Sequence, residues 1–286
     1  MISIKALNGI SIETIHDAFT KAFSDYVEPI DLTLKQLQHM IERRGYTPEL
    51  SFGAFSEEKL VGFTLNGTGE WEGELTAYDT GTGIVKEFRK QGIASRMFKE
   101  SLPVLREYSI KQYLLEVIVT NTSAYELYKK AGFKVTRNFD YFVSTKDKIS
   151  IEKDKLRDDL ELKIIKTPDW KLFKSFWDFT PSWQNSIDAI KRKFEYFAII
   201  GLFENEKLLG YGIIERHSGD IAQIAVDKSH RKEKIGTTLL HHLFRYAEIQ
   251  RVKIVNSVAD NESIRKFATR LGFPAGLGQY EMLLKL

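Results

Sequence analysis

Arg89-Lys90-Gln91-Gly92-Ile93-Ala94 decides the fold of this chain. An apolar run ends at Ile84 and an amphipathic pattern fills residues 92–108, so the segment reads as a loop from strand to helix. Small residues at 92 and 94 let a ligand approach the backbone closely. The first N–H groups of the helix lack intrahelical acceptors, and the helix dipole favours negative charge beside them. Arg89 and Lys90 add positive charge. On these grounds the segment is an anion-binding turn, with phosphate as the natural ligand. The plainer reading is a helix start whose glycine allows close packing. A short glycine motif alone does not separate the two.

Working outward, the same turn occurs again. Ile84 to Ala94 (IVKEFRKQGIA) parallels Val226 to Gly236 (VDKSHRKEKIG). Upstream, FSEEKLVGF at 55–63 parallels FENEKLLGY at 203–211, and both read as β-hairpins closed by a polar turn. Downstream, NTSAYELYKKAGF at 121–133 parallels NESIRKFATRLGF at 261–273. Three blocks in one order at nearly constant offset predict a tandem duplication. The expected domains are 1–147 and 160–286, joined by a charged linker at 148–159.

In the first copy, helices are expected at 11–23, 34–44, 92–108 and 123–130. Ser11 caps the first, and Ser123 with Glu126 forms a capping box on the last. Pro103 is expected to kink the third. Strands are expected at 2–6, 50–55, 59–66, 75–84, 113–119 and 134–143. The class is α+β, with a mixed, mostly antiparallel sheet flanked by helices in each copy.

Arg-x-x-Gly-x-Ala after a strand is followed by Leu115-Glu116-Val117, Asn121, Ala124, Leu127-Tyr128 and Gly132-Phe133. This combination resembles the GNAT N-acetyltransferase superfamily. The likeness is good over residues 50–135 and weaker over 195–275. It implies two tandem GNAT-like domains and acetyl-CoA as co-substrate. It also implies transfer of an acetyl group to a primary amine of a small molecule or peptide.

Residue by residue, the resemblance implies that main-chain groups of Thr82, Gly83 and Ile84 pair with the pantetheine arm. Arg89, Lys90, Gln91, Gly92, Ile93 and Ala94 would cradle the pyrophosphate, and Asn121 would touch the CoA arm. Tyr128 sits where many members carry the tyrosine that protonates the departing thiolate. A phenol with a reference pKa of about 10 suits that role. The alternative for Tyr128 is a core aromatic. Glu116 interrupts an otherwise apolar strand, where an unpaired charge is costly. It is the expected general base, with Asp79 as runner-up. An ordered water and a purely structural carboxylate are the other readings. Asp25, Tyr26 and Glu28, with Asp79, are expected near the acceptor amine, and Arg43 and Arg44 near a carboxylate.

The second copy departs at two positions. Lys234 stands in place of Gly92, and Ala268 in place of Tyr128. The Lys234 side chain is expected to obstruct the loop, which makes the second copy a degenerate, silent module. Trp170, Trp177, Trp183, Phe173, Phe176 and Phe179 cluster near its start. They read as helix packing, or alternatively as an aromatic wall over a pocket.

Composition narrows the function further. The 42 basic and 39 acidic residues nearly balance, which gives no footprint for a nucleic-acid partner. The sequence holds no cysteine, so disulfides, thiolate zinc sites and an acyl-cysteine intermediate are excluded. Transfer is therefore expected to be direct. No His-x-x-x-His pair appears, and no metal is expected. No apolar run approaches a membrane span and no secretory pattern is visible, so a cytoplasmic location without membrane contact is expected. The competing reading is a non-catalytic protein that binds acyl-CoA or scaffolds an assembly.

Overall fold

A computed structural model describes residues 1–25, 31–149 and 151–286. The chain divides into two compact units. The first comprises Met1–Val117, Asn121–Thr136 and Glu281–Leu286; the second comprises Ile118–Thr120 and Arg137–Tyr280. This division differs from a cut through the charged stretch at 148–159. Two strands are responsible. β6 (Lys134–Thr145) pairs antiparallel with β11 (Arg251–Val258), from Phe139↔Val258 to Thr145↔Arg251. The last six residues, within and after β12 (Gln279–Lys285), belong to the first unit. There Leu286 N–H donates to the Lys111 carbonyl at 2.9 Å. A strand's pattern shows which face is buried but not which edge it joins, so this exchange leaves no local mark in the sequence.

In the first unit the strand order is β1 (Ile2–Ala6), β2 (Phe52–Ser56), β3 (Lys59–Trp71), β4 (Glu74–Ile84), β5 (Gln112–Ile118), then β12. The β1–β2, β2–β3 and β3–β4 ladders are antiparallel, and β4–β5 is parallel. The parallel pair needs a crossover, supplied by α3 (Ile93–Glu107). The helix continues through Pro103, and Met97 and Leu105 face the core.

On the opposite side lie α1 (Ile12–Phe23) and α2 (Leu34–Arg43). Ile15, Ala18, Phe19 and Ala22 form the buried stripe of α1 and pack with Phe63 and Leu65 of β3. Ser11 caps α1 as expected, accepting from Thr14 N–H. Gly83 allows this packing to be close. A Cβ there would lie 2.6 Å from the Phe63 ring and 3.0 Å from the Ala22 methyl.

The second unit repeats the plan in the order β6, β11, β10 (Asp220–Val226), β9 (Lys207–Glu215), β8 (Phe197–Glu204), β7 (Glu161–Ile164). Its crossover helix is α7 (Ile235–Leu243), and α5 (Trp170–Phe176) and α6 (Ile187–Arg192) cover the other side. Leu239, Leu240 and Leu243 of α7 fill the core beneath β8 and β9.

Candidate functional site

The site in the first unit begins where β4 and β5 part. Their pairing runs only from Thr76↔Gln112 to Asp79↔Leu115. β4 continues to Ile84 and β5 to Ile118, leaving residues 80–84 and 116–118 on two diverging arms. The divergence coincides with a bulge: Leu65 pairs with Gly81 and Asn66 with Asp79, so Thr80 is the extra residue. A bulge sharpens the local twist and bends the strand away. The Arg44 guanidinium holds it, donating to the Thr80 carbonyl at 3.1 Å. Arg44, expected near a carboxylate ligand, is thus structural in this position.

Tyr128, Thr82 and Asp79 meet at the fork, and Glu116 stands on the facing arm. The Tyr128 hydroxyl, on α4 (Thr122–Lys130), donates to Asp79 Oδ2 at 3.0 Å. The Thr82 hydroxyl donates to the same oxygen at 2.8 Å. Asp79 is the last paired residue of β4, 8% exposed, and its Oδ1 has no hydrogen-bond partner among the described residues. Glu116, the first residue of β5 beyond the pairing, is half-buried and accepts from the Tyr78 hydroxyl. Burial pushes the Tyr78 phenol well above its ordinary range, so it stays protonated as a donor. The Tyr128 ring is half-buried and meets Phe133 edge-on at 5.5 Å.

Burial also pushes Asp79 up, to about 6, against the lowering effect of its hydrogen bonds from Thr82 and Tyr128. This has a consequence for stability. The folded chain holds the Asp79 proton more tightly than the unfolded chain, whose carboxyl titrates near 3.8. Above pH 6 the folded state therefore carries a penalty, which disappears as pH falls towards 4. Two pKa units correspond to roughly 3 kcal/mol as an upper bound. Asp79→Asn is expected to raise the thermal midpoint at pH 8, with the gain shrinking as pH falls from about 6 towards 4. A midpoint difference that stays constant from pH 8 to pH 5 would contradict a buried, titrating carboxyl here.

The loop at 85–92 connects β4 to α3. Lys90 (φ 60°) and Gly92 (φ 74°) both adopt left-handed backbone. Gly92 is the N-cap of α3, and the first helical bond runs from Arg96 N–H to the Gly92 carbonyl at 3.0 Å. The N–H groups of the first turn therefore precede the intrahelical ladder. A Cβ on Gly92 would meet nothing within 4 Å. The glycine is thus favoured by its backbone angle, and the space beside it is open.

Arg89 departs from the expectation that its charge faces the loop. Its guanidinium donates to Asp25 Oδ1 and Oδ2 at 2.7 and 3.0 Å and to the Ala22 carbonyl at 2.7 Å, while Nε donates to the Ile84 carbonyl. It ties the end of α1 to the end of β4. The same bonds hold the Asp25 carboxyl below its usual range, and Asp25 is thereby engaged rather than open to a cationic amine. Tyr26 and Glu28, the other expected acceptor residues, lie outside the described residues. Gln91 Nε2 donates to the Glu87 carbonyl at 3.3 Å.

Asn121, expected on the CoA arm, takes part in a helix cap. It is the N-cap of α4, its side chain accepting from Ala124 N–H at 3.2 Å. The expected cap at Ser123 is inside the helix, where its hydroxyl donates to Asn121 Oδ1. Asn261 caps α8 (Glu262–Arg270) in the same way. A side chain facing the helix start in both copies accounts for the recurring asparagine.

The second unit preserves the frame and loses the reactive groups. β10 and β11 pair in parallel only at Asp220↔Lys253 and Ile221↔Ile254, then part, with Ala222 as the bulge. At the fork, Ile221 takes the place of Asp79, Val255 that of Glu116 and Ala268 that of Tyr128. The loop keeps its shape: Lys232 and Lys234 both have φ 64°. Lys234 caps α7 as Gly92 caps α3, and its ammonium reaches the Asp154 carbonyl at 2.7 Å. Arg231 also copies Arg89, donating to Asp178 at 2.9 Å and the Phe176 carbonyl at 3.3 Å.

No group of three or more His, Cys, Asp or Glu that could hold a metal occurs among the described residues. None of the described helices is long and apolar enough to cross a membrane.

The sequence profile of the Acetyltransferase (GNAT) family matches residues 12–133 and 165–273, one stretch in each copy. "N-alpha-acetyltransferase 30" of Schizosaccharomyces pombe is 31% identical over 102 residues, 35% of this chain and 68% of that protein. "N-alpha-acetyltransferase MAK3" of Arabidopsis thaliana is 29% identical over 101 residues, 35% of this chain and 53% of that protein. The chain thus spans about two thirds of one curated relative and about half of the other. Among solved structures, a tandem GNAT protein from the clavulanic acid biosynthesis pathway superposes with a TM-score of 0.74 at 14% identity, covering 100% of this chain and 98% of that one. A GCN5-related N-acetyltransferase from Sphaerobacter thermophilus gives 0.75 at 11% identity, covering 99% and 95%. At those identities the superpositions show a shared fold.

Proposed function

The chain belongs to the GNAT acetyltransferase family, and from that premise we propose that its first unit transfers an acetyl group from acetyl-CoA directly to a primary amine. The observation that carries the reading is the hydrogen bond from Tyr128 to Asp79 where β4 and β5 part, with Glu116, held by Tyr78, on the facing arm of β5.

The residues fit the cofactor. The edge of β4 at 80–84 is not paired with β5, which leaves main-chain groups of Thr82, Gly83 and Ile84 for the amide-bearing arm of CoA. The turn from Lys90 to Ala94 would hold the pyrophosphate by main-chain N–H groups and the helix dipole. Arg89 holds the turn from behind through Asp25 and Ala22. Asn121 starts α4 and so sets the position of Tyr128 on its second turn.

In the reaction, the amine nitrogen attacks the thioester carbonyl and gives up a proton, and the carbon–sulfur bond breaks as the thiolate takes one. Glu116, half-exposed at the fork, is the base for the amine. Tyr128 supplies the thiolate's proton, with Asp79 and Phe133 fixing the ring. A main-chain N–H near Ile84 would steady the oxyanion. The acceptor favoured by the names of the curated relatives is the α-amino group of a peptide chain.

The test is thiol release from acetyl-CoA with a panel of short peptides differing in their first two residues. Turnover is expected with free N-termini and none with the same peptides acetylated. If coenzyme binds but no free amine releases thiol, the chain is an acyl-CoA-binding protein and the catalytic reading fails.

A further inference from the structure

The hydrogen bond between Tyr128 and Asp79 has a direction, and the geometry permits both. Tyr128 donates to Asp79 Oδ2 at 3.0 Å, so the phenol's single proton is committed to the carboxylate. The same oxygen accepts from Thr82 Oγ1 at 2.8 Å, whereas Oδ1 is buried with no hydrogen-bond partner among the described residues. A proton added to Oδ1 would therefore have no acceptor. A proton on Oδ2 has one, the Tyr128 oxygen at the same 3.0 Å. A hydroxyl both donates and accepts, so the bond can reverse without either side chain moving. Thr82 can follow, because Thr64 Oγ1 lies 3.1 Å from its hydroxyl as a second acceptor.

The groups facing Asp79 set when this happens. Burial disfavours its charge and outweighs the other influences, pushing the carboxyl up to about 6. The Thr82 and Tyr128 hydroxyls, the Gly81 N–H and the Arg44 charge act the other way. From β5, Tyr113 faces it and donates to Asn66 Oδ1 at 2.6 Å, and Tyr78 precedes it in β4. Burial holds both phenols well above their ordinary range, so neither adds a competing charge near neutral pH. Asp79 thus changes charge within about one unit of pH 6.

We infer that Asp79 directs the Tyr128 proton: the ionised carboxylate captures it, whereas a carboxyl protonated on Oδ2 donates to the Tyr128 oxygen and frees the phenol's own proton for the leaving thiolate. The inference rests on Tyr128 being the acid of the proposed transfer. As the carbon–sulfur bond breaks, the Tyr128 proton passes to sulfur. The Asp79 proton passes to the Tyr128 oxygen along the existing bond. Tyr128 ends neutral, and Asp79 ends as the carboxylate until a solvent proton restores it. Asp79 acts only through Tyr128, as a positioning residue and proton reserve.

Asp79→Asn fixes the neutral arrangement at every pH, because its amide nitrogen can donate to the Tyr128 oxygen and to Thr82 Oγ1. The kcat ratio of Asp79→Asn to wild type, with a free-amine peptide and saturating acetyl-CoA, cancels the ionisation of the acceptor. It is expected to lie near one at about pH 5 and to climb through about pH 6. At pH 8, where about one wild-type carboxyl in a hundred is protonated, it should reach at least about tenfold. The KM for acetyl-CoA should not follow it. In a Thr82→Val background, which lacks one donor that favours the charge, the climb is expected at higher pH. A second readout needs neither turnover nor a variant at Asp79. The hydroxyl-bearing ring carbon of Tyr128, isotope-labelled and assigned by its loss in Tyr128→Phe, should show an NMR shift that steps near pH 6 in wild type. That step without thiol release from any amine would place the failure in the transfer reading and uphold the bond reversal. A flat shift in wild type, or a kcat ratio constant from pH 5 to pH 8, would overturn the inference.

Discussion

Tyr128→Phe is expected to lower kcat by about 10²- to 10⁴-fold, the usual span for losing a positioned general acid, while the KM for acetyl-CoA stays within a few-fold. The ring makes its edge-on contact with Phe133 at 5.5 Å whether or not it carries the hydroxyl. The hydroxyl donates to Asp79 Oδ2 at 3.0 Å. Phe therefore preserves packing and removes the proton. It also leaves Asp79 with one hydroxyl donor in place of two, which raises that carboxyl further. Thiol release under saturating acetyl-CoA and peptide gives kcat, and a parallel binding titration shows whether the cofactor site survives. A loss in KM alone would make Tyr128 a wall of the pocket. Unchanged turnover would transfer the acid role to water.

The sequence carried the frame of this molecule because the frame depends on local chemistry. The hairpins at 55–63 and 203–211, the loops at 84–94 and 226–236, and the caps of the helices after them are short-range patterns, and they recur in both copies. The pairing of Arg89 with Asp25 was not legible, although both residues stood out separately. Arg89 carries its charge next to a phosphate-binding pattern, whereas its partners are the end of α1 some sixty residues earlier. Only the recurrence of Arg231 with Asp178 in the second copy signals a bracing role. Asp79 was visible as a charge in a strand. Its link to Tyr128 depends on the bulge at Thr80, which turns on pairing register and so leaves no mark in composition. The intact loop of the second unit was hidden for another reason. Loss of Gly92 and Tyr128 equivalents reads as decay, but Lys234 keeps the left-handed backbone and sends its ammonium to Asp154.

Gly92→Glu is expected to weaken acetyl-CoA binding by more than about 100-fold, and comparison with Gly92→Ala isolates the cause. Both variants place a Cβ on a residue with φ 74°. That conformation costs roughly 1–2 kcal/mol for a non-glycine residue, and neither Cβ meets a neighbour within 4 Å. The strain is tolerable in this setting, since Lys234 holds φ 64° at the corresponding helix start. Gly92→Ala should therefore fold and bind with a loss of a few-fold. Glu adds a carboxylate at a helix N-terminus, where it is stabilised by the same N–H groups and dipole that the pyrophosphate needs. The variant should be no less stable than Gly92→Ala, by thermal unfolding, yet nearly unable to bind. The two effects share one origin: the charge that steadies the helix occupies the ligand's place. High salt should restore part of the Glu variant's affinity only to the extent that repulsion acts through solvent. Equal binding by the Ala and Glu variants would place the pyrophosphate away from this turn and remove the first unit's claim to the cofactor.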